Sequence, residues 1–358
     1  MLPNILVSEA TGFSDSAAEH LRICSRLFLR DLDRTSLIIA VRDVDVLWVR
    51  LRHKIDREVI EAGPNLRAIA TPTTGLNHID LAHAEKLGIH VISLQGATDF
   101  LQNVYATAEH AVALILSLMR HLPAAHEHAI SDHWNRDLFI GNELHGKAAG
   151  VIGYGRLGKM VAKYLQSFGM RISVTDVKNP DQLEHPDIAN VSLDHLLHTS
   201  DVVTLHVPLS DQTKGFFGKR EFACMKPGSW FINTARGELV DERALLDALR
   251  TRHLSGAALD VLCDEQSSNF GDNSLVRYAQ QHTNLLITPH IGGCTRESRE
   301  KTERFLATRV VEFLSRGLKD SVATGSRLEE VTGTPNYDPS FPTTEGVSVA
   351  AGVSWKKQ

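Results

Sequence analysis

Apolar positions fall first into short strand-like runs separated by helically spaced ones. Residues 4–8 (NILVS) form an apolar run of strand length, and 15–24 repeat apolar side chains at helical spacing. The pair of patterns recurs, with strands expected over 46–50, 66–71 and 89–93 and helices over 55–62 and 79–87. Gly63-Pro64-Asn65, Thr74-Gly75 and Gly88 punctuate them. Such alternation implies a parallel sheet with helices on both faces, a small α/β domain in its own right. Residues 105–122 (YATAEHAVALILSLMRHL) then read as one long helix, apolar nearly all round from Ala111 to Met119. That pattern suits either a core helix or one shared between domains or subunits.

A different signal begins at Gly150. An apolar strand breaks into Gly153-Tyr154-Gly155-Arg156-Leu157-Gly158, continues as an amphipathic helix and returns as a strand over 171–175, closed by Asp176. Gly153 permits a tight turn, Gly155 lets a pyrophosphate approach the backbone, and Gly158 lets helix and strand pack closely. The helix start offers N–H groups and partial positive charge, with Arg156 and Leu157 in its first turn. Asp176, 18 positions after Gly158, is spaced to accept from adenosine ribose hydroxyls. A carboxylate there favours NAD over a 2′-phosphorylated cofactor, although Lys178 lies two positions on. Further strands are expected over 201–205, 230–233, 256–261 and 285–288, each ending in polar residues. In a doubly wound parallel sheet the ligand crevice lies at those carboxyl ends.

Composition narrows the classes without choosing among them. The 358 residues are 42% hydrophobic and 23% charged, with net charge −5, an ordinary globular balance with no electrostatic case for nucleic acid or an anionic membrane surface. The N-terminal MLPNILVSEA has no basic segment before an apolar run, and no run is long enough to span a bilayer, so a cytoplasmic protein is expected. Cys24, Cys224, Cys263 and Cys294 form neither a metal pattern nor a CxxC pair, and no metal is expected. From about Ser321 periodicity fades, and 326–358 read as a C-terminal tail.

Hydride transfer at strand ends needs a proton donor, a cation for a carboxylate or carbonyl, and a group to orient the acid/base residue. Arg236, the Asp264/Glu265 pair and His290 stand at such ends. Here the chain resembles the D-isomer-specific 2-hydroxyacid dehydrogenases over roughly 40–318. The motifs are GYGRLG (153–158), HVPL (206–209), MKPGSWFINTARGELVDERAL (225–245), GAALDV (256–261) and TPHIGG (288–293). TGLNHIDL (74–81), ATAEH (106–110) and IGNELHGK (140–147) are similar to the phosphoglycerate dehydrogenase branch.

The resemblance implies a Rossmann-type NAD domain, 102–293, and a smaller flavodoxin-like α/β substrate domain built from 1–101 with 294–325. It implies a catalytic set of Arg236, Glu265 and His290. His290 would exchange a proton with the substrate oxygen, Glu265 would fix its tautomer, and Arg236 would grip the carboxylate as a fork. The family pattern puts Pro after the acid, where this chain has Gln266. Asp260 would accept from the nicotinamide carboxamide, and His206, Val207 and Pro208 would wall the adenine pocket. Thr234 would touch the nicotinamide side, and Ala235, Arg236, His290 and Gly292 would also contact the cofactor. Arg50, Thr74 and Gly75 would face the substrate, and the Arg50, Arg52, His53, Lys54 cluster could take a phosphate or be a solvated loop. Cys263 is expected to be a bystander. The activity implied is interconversion of a D-2-hydroxy acid and its 2-keto acid, with 3-phosphoglycerate a candidate and a homodimer through 105–122. A non-enzymatic NAD-sensing member is the alternative; phosphite oxidation is disfavoured because ATPTTGL (70–76) has no lysine.

Overall fold

The computed structural model describes residues 2–177, 188–266 and 270–323, and the chain divides into two units, Met1–Ser315 and Arg316–Gln358. Lys178 and the 326–358 tail lie outside the described residues. The first unit holds two all-parallel sheets. The smaller is assembled from β1 (Asn4–Val7), α1 (Asp15–Arg22), β2 (Arg26–Leu29), α2 (Arg34–Ala40), β3 (Val46–Trp48), α3 (Arg57–Glu61), β4 (Ala68–Ala70), α4 (Leu81–Lys86) and β5 (His90–Ile92). Its order, β2-β1-β3-β4-β5, is that of a flavodoxin-like sheet. Alternate residues go to opposite faces. Leu6, Leu47 and Ile69 join one buried cluster, and Ile5, Val7, Val46, Trp48, Ala68 and Ala70 the other. Both faces are covered, so the strands read as continuous apolar runs rather than alternating ones.

A single-turn helix, α5 (Thr98–Leu101), and a longer one, α6 (Ala106–Met119), lead to α7 (Leu122–Ile130). The long helix expected over 105–122 is therefore interrupted. Arg120 leaves helical geometry, His121 takes φ 54°, and Pro123 opens the next helix, where its missing N–H costs nothing. Eight residues of α6 are buried, and it packs in one cluster with α8 and the larger sheet, so the core-helix reading holds. No residue of α7 is buried.

The larger sheet uses β6 (Ala148–Ile152), α8 (Arg156–Ser167), β7 (Arg171–Thr175), β8 (Ile188–Asn190), α9 (Leu193–Thr199), β9 (Val202–Leu205), α10 (Lys219–Cys224), β10 (Ser229–Asn233), α11 (Glu242–Arg250), β11 (Leu254–Leu259), α12 (Ser274–Ala279) and β12 (Leu285–Ile287). The order β12-β11-β10-β9-β6-β7-β8 reverses direction between β6 and β9, the switch point where a doubly wound sheet binds its ligand. Phe217, Phe222 and Phe231 pack edge-on or tilted at 4.8–5.2 Å beneath one face. A final helix, α13 (Arg296–Ala323), returns to the smaller sheet, where Leu306, Ala307, Val310 and Leu314 share a cluster with Ile5, Leu21 and Trp48.

Candidate active site

The glycine turn after β6 is shaped by close contacts. Gly153 has φ 90°, and a Cβ there would lie 2.7 Å from the His206 carbonyl oxygen across the switch point. A Cβ on Gly158 would strike the Gly153 carbonyl, whereas around Gly155 there is open space. The Asp176 carboxylate accepts from the Tyr154 N–H at 2.6 Å and holds the turn. α8 begins at Arg156 behind an N-cap glycine, Gly155, that offers no side chain to its first-turn N–H groups. An uncapped helix start beside the open space at Gly155 is suited to phosphate.

Two other polar atoms await partners at the strand ends. The Thr234 hydroxyl and Nδ1 of His206 are buried without a hydrogen bond. Burial pushes the His206 imidazole down to about 4, so the ring is neutral, with Nε2 3.0 Å from the Thr204 hydroxyl. Val207 packs against the core beneath, and Pro208 is exposed with its carbonyl capped by Thr213. A buried polar group without a partner costs free energy, so these atoms, with the glycine cradle, fit a dinucleotide. Leu157 packs against the core. Arg156 ties the sheets together: its Nη1 donates to the Leu101 and Val104 carbonyls in the connection between them.

The expected catalytic residues converge. Nδ1 of His290 lies 2.5 Å from Oε1 of Glu265. Asp264 is exposed with φ 52°, so Glu265 is the acid that meets the imidazole. His290 itself has φ 52°, a left-handed conformation uncommon for a non-glycine residue. Its N–H is tied to the Asp260 carbonyl at 2.8 Å. Arg236 follows β10; its Nη1 donates to the Ala235 carbonyl at 2.6 Å and its Nε to Oδ1 of Asn77 at 3.1 Å. Asn77 also donates to Glu238 at 3.1 Å, so one amide from the smaller lobe orients the guanidinium and its neighbouring acid. A Cβ on Gly75 would fall on the Arg236 guanidinium, so the bare glycine lets that side chain lie against it. Thr74 is exposed beside it. Burial lowers the Arg236 pKa, while the charges of Glu265 and Glu238 act in the opposite sense.

Asp260 and Arg50 both carry structural loads. Asp260 is 1% exposed and takes four donors: the Thr288 hydroxyl (2.6 Å), Ile291 N–H (2.8 Å), Gly292 N–H (2.8 Å) and His110 Nε2 (3.1 Å). Three of these donors meet Oδ1 and only the Gly292 N–H meets Oδ2, so Oδ2 keeps an acceptor position. Burial would raise its pKa, but the hydrogen bonds, led by His110, outweigh it and hold the carboxyl low. Arg50 spends its donors within the protein. Its Nε and Nη2 bond Glu303, 2.9 and 2.5 Å away, and its remaining donors reach the carbonyls of Glu9, Thr11 and Gly12. The partner, 253 positions on, has no sequence signal near Arg50. Cys263 is a bystander: burial, then the charges of Glu242 and Glu238, push its thiol up to about 12.

Asn77, Glu238, His110, Thr288 and His78 were not foreseen. His78 is 1% exposed, with Nε2 3.4 Å from the Thr71 hydroxyl and Nδ1 buried without a partner. Burial, then the charges of Arg236 and His290, lower it to about 4.

Known proteins resemble this chain. The family model for the NAD binding domain of D-isomer specific 2-hydroxyacid dehydrogenases matches residues 112–292. A D-3-phosphoglycerate dehydrogenase of Archaeoglobus fulgidus is 36% identical over 310 residues, covering 86% of this chain and 55% of that protein. A glyoxylate reductase of Pyrococcus furiosus is 36% identical over 292 residues, covering 79% and 83%. The chain thus spans about half the length of the curated D-3-phosphoglycerate dehydrogenases it matches. Among solved structures, D-lactate dehydrogenase from Aquifex aeolicus complexed with NAD and lactic acid has a TM-score of 0.74 at 29% identity, covering 88% of this chain and 96% of that one.

Proposed function

Because the chain belongs to the D-isomer specific 2-hydroxyacid dehydrogenase family, we propose that it transfers hydride between NAD and C2 of a D-2-hydroxy acid or its 2-oxo acid. The observation that carries this reading is the His290–Glu265 pair, set at 2.5 Å in the same cleft as Arg236. NAD, when bound, supplies the hydride acceptor. The glycine turn and the start of α8 hold its pyrophosphate, and Thr234 meets the nicotinamide side. Asn77 and the Ala235 carbonyl engage two nitrogens of Arg236, and among the described residues Nη2 has no hydrogen-bond partner. Nη2 meets the substrate carboxylate. His290, with Nδ1 on Glu265, presents Nε2 to the substrate oxygen, takes its proton in oxidation and returns it in reduction. The Glu265 carboxylate fixes the tautomer and offsets the ring's charge once it carries the proton. Asp260 acts through the backbone, holding the turn from which His290 projects.

The assay that tests the reading is NADH oxidation against glyoxylate, pyruvate, hydroxypyruvate, 2-oxoglutarate and phosphohydroxypyruvate. Turnover of at least one is expected. NADH binding without any turnover would turn the assignment to an NAD-sensing protein.

A homodimer is part of this proposal, with its contact moved along the chain. α6 is spent on its own chain's core. Just beyond it Ile130, Trp134, Leu138 and Ile140 stand 64–92% exposed, an apolar series suited to a second copy. The four unpaired cysteines support a reducing, cytoplasmic setting.

A further inference from the structure

The acid that meets His290 belongs to the segment between β11 and α12, and that segment is fastened where it begins and where it ends. Val261 and Leu262 leave β11 buried. The Leu262–Cys263 peptide rests on Gly237, the residue after Arg236. A Cβ on Gly237 would fall on the Leu262 carbonyl and the Cys263 nitrogen.

Glu242, the first residue of α11, supplies the second fastening. Its Oε1 accepts from the Cys263 N–H at 2.7 Å, and its Oε2 accepts from Nδ2 of Asn273 at 3.1 Å. Asn273 is itself the N-cap of α12, where its Oδ1 accepts from the Leu275 N–H at 2.8 Å and the Val276 N–H at 3.4 Å. The cap fixes which way the amide faces, oxygen to the helix and NH2 to Glu242. One carboxylate therefore joins the start of the segment at Cys263 to its end at the head of α12. Only Asp264 separates the pinned Cys263 from Glu265, and its φ of 52° reverses the chain there. A displacement at Cys263 is passed straight to the Glu265 carboxylate, and its 2.5 Å contact with Nδ1 of His290 has little room for one.

We infer that Glu242 is a positioning residue for the reaction, a carboxylate clamp whose two hydrogen bonds hold Glu265 where it orients His290. The inference rests on the dehydrogenase reading above. Both oxygens of Glu242 are spent on the clamp, so it acts through Glu265 and not on the substrate.

Two variants open the clamp while keeping its shape. In Glu242→Gln one oxygen becomes an NH2 group, which can accept from neither donor. Asn273→Asp keeps an oxygen for the α12 cap and sets a second carboxylate against Glu242. The test is kcat and KM for NADH-dependent reduction of whichever of glyoxylate, pyruvate, hydroxypyruvate and phosphohydroxypyruvate the wild type turns over fastest. It compares the wild type, both variants, Glu265→Gln and the Glu242→Gln/Glu265→Gln double variant, with NADH affinity as the control for folding. Each clamp variant should lower kcat by roughly tenfold to a hundredfold with KM changed little, the scale of a misplaced catalytic group. In the double variant the clamp has no carboxylate left to place, so its kcat should lie within roughly threefold of Glu265→Gln alone. Losses that multiply in the double variant would show that Glu242 acts independently of Glu265 and overturn the inference. So would an unchanged kcat in both clamp variants with NADH still bound, which leaves the dehydrogenase reading intact. A wild type that binds NADH and reduces no 2-oxo acid removes the functional reading and the inference with it.

Discussion

Oε1 of Glu265 stands 2.5 Å from Nδ1 of His290, although the two residues follow different strands of the larger sheet and His290 holds a left-handed backbone. A strained conformation of this kind persists only where its surroundings fix it. Here Asp260 does so, accepting the Ile291 and Gly292 N–H groups through its carboxylate and the His290 N–H through its carbonyl. The acid/base pair is thus placed before substrate arrives.

Replacing Glu265 by Gln keeps the shape and removes the charge. We expect kcat for the best 2-oxo acid to fall by about 10²-fold or more, the usual worth of a positioned acid/base group, with KM changed little. Steady-state kinetics of Glu265→Gln check this, and an unaltered kcat would take Glu265 out of the mechanism.

Arg50→Ala should unfold more readily rather than bind substrate less well. It leaves Glu303 buried without its cation, a change that costs about 3–5 kcal/mol. Urea unfolding monitored by circular dichroism measures it. A stable variant with a greatly raised substrate KM would restore Arg50 to the substrate site.

His78 makes stability depend on pH. Burial, then Arg236 and His290, hold it at about 4, whereas in the unfolded chain it titrates near its ordinary value. As pH falls, the unfolded state binds the proton first. Stability is therefore full above pH ~6.5 and declines as pH drops towards ~4, by on the order of 3 kcal/mol from this group. His206 has the same sign. Urea midpoints at several pH values should fall less steeply for His78→Gln than for the wild type; identical slopes would show that His78 is not the group titrating.

Much of this site was legible because its chemistry is local in sequence. The glycine turn, Arg236 and His290 each follow a β-strand directly, and strand ends point at the crevice. Glu265 was legible by offset from Asp260. What escaped depends on distant partners. Arg50 looked like a substrate cation because Glu303 is far away in sequence. The structural load on Asp260 escaped because His110 lies on α6, 150 positions earlier. Asn77 became visible only once the two lobes met. In the fold, β2 was missed because it is an edge strand with three of its four residues exposed, so burial left little pattern. α9 was missed because only Leu196 and Leu197 are buried in seven residues. The unbroken helix over 105–122 was expected because apolar continuity hides the left-handed His121.

The most direct measurement is NADH oxidation by 2-oxo acids with wild-type protein and His290→Ala, alongside NADH affinity by fluorescence titration. Loss of the proton donor should lower kcat/KM by roughly 10²–10⁴-fold, with NADH bound as tightly as before. A His290→Ala variant that oxidises NADH at the wild-type rate would contradict the assignment of this cleft.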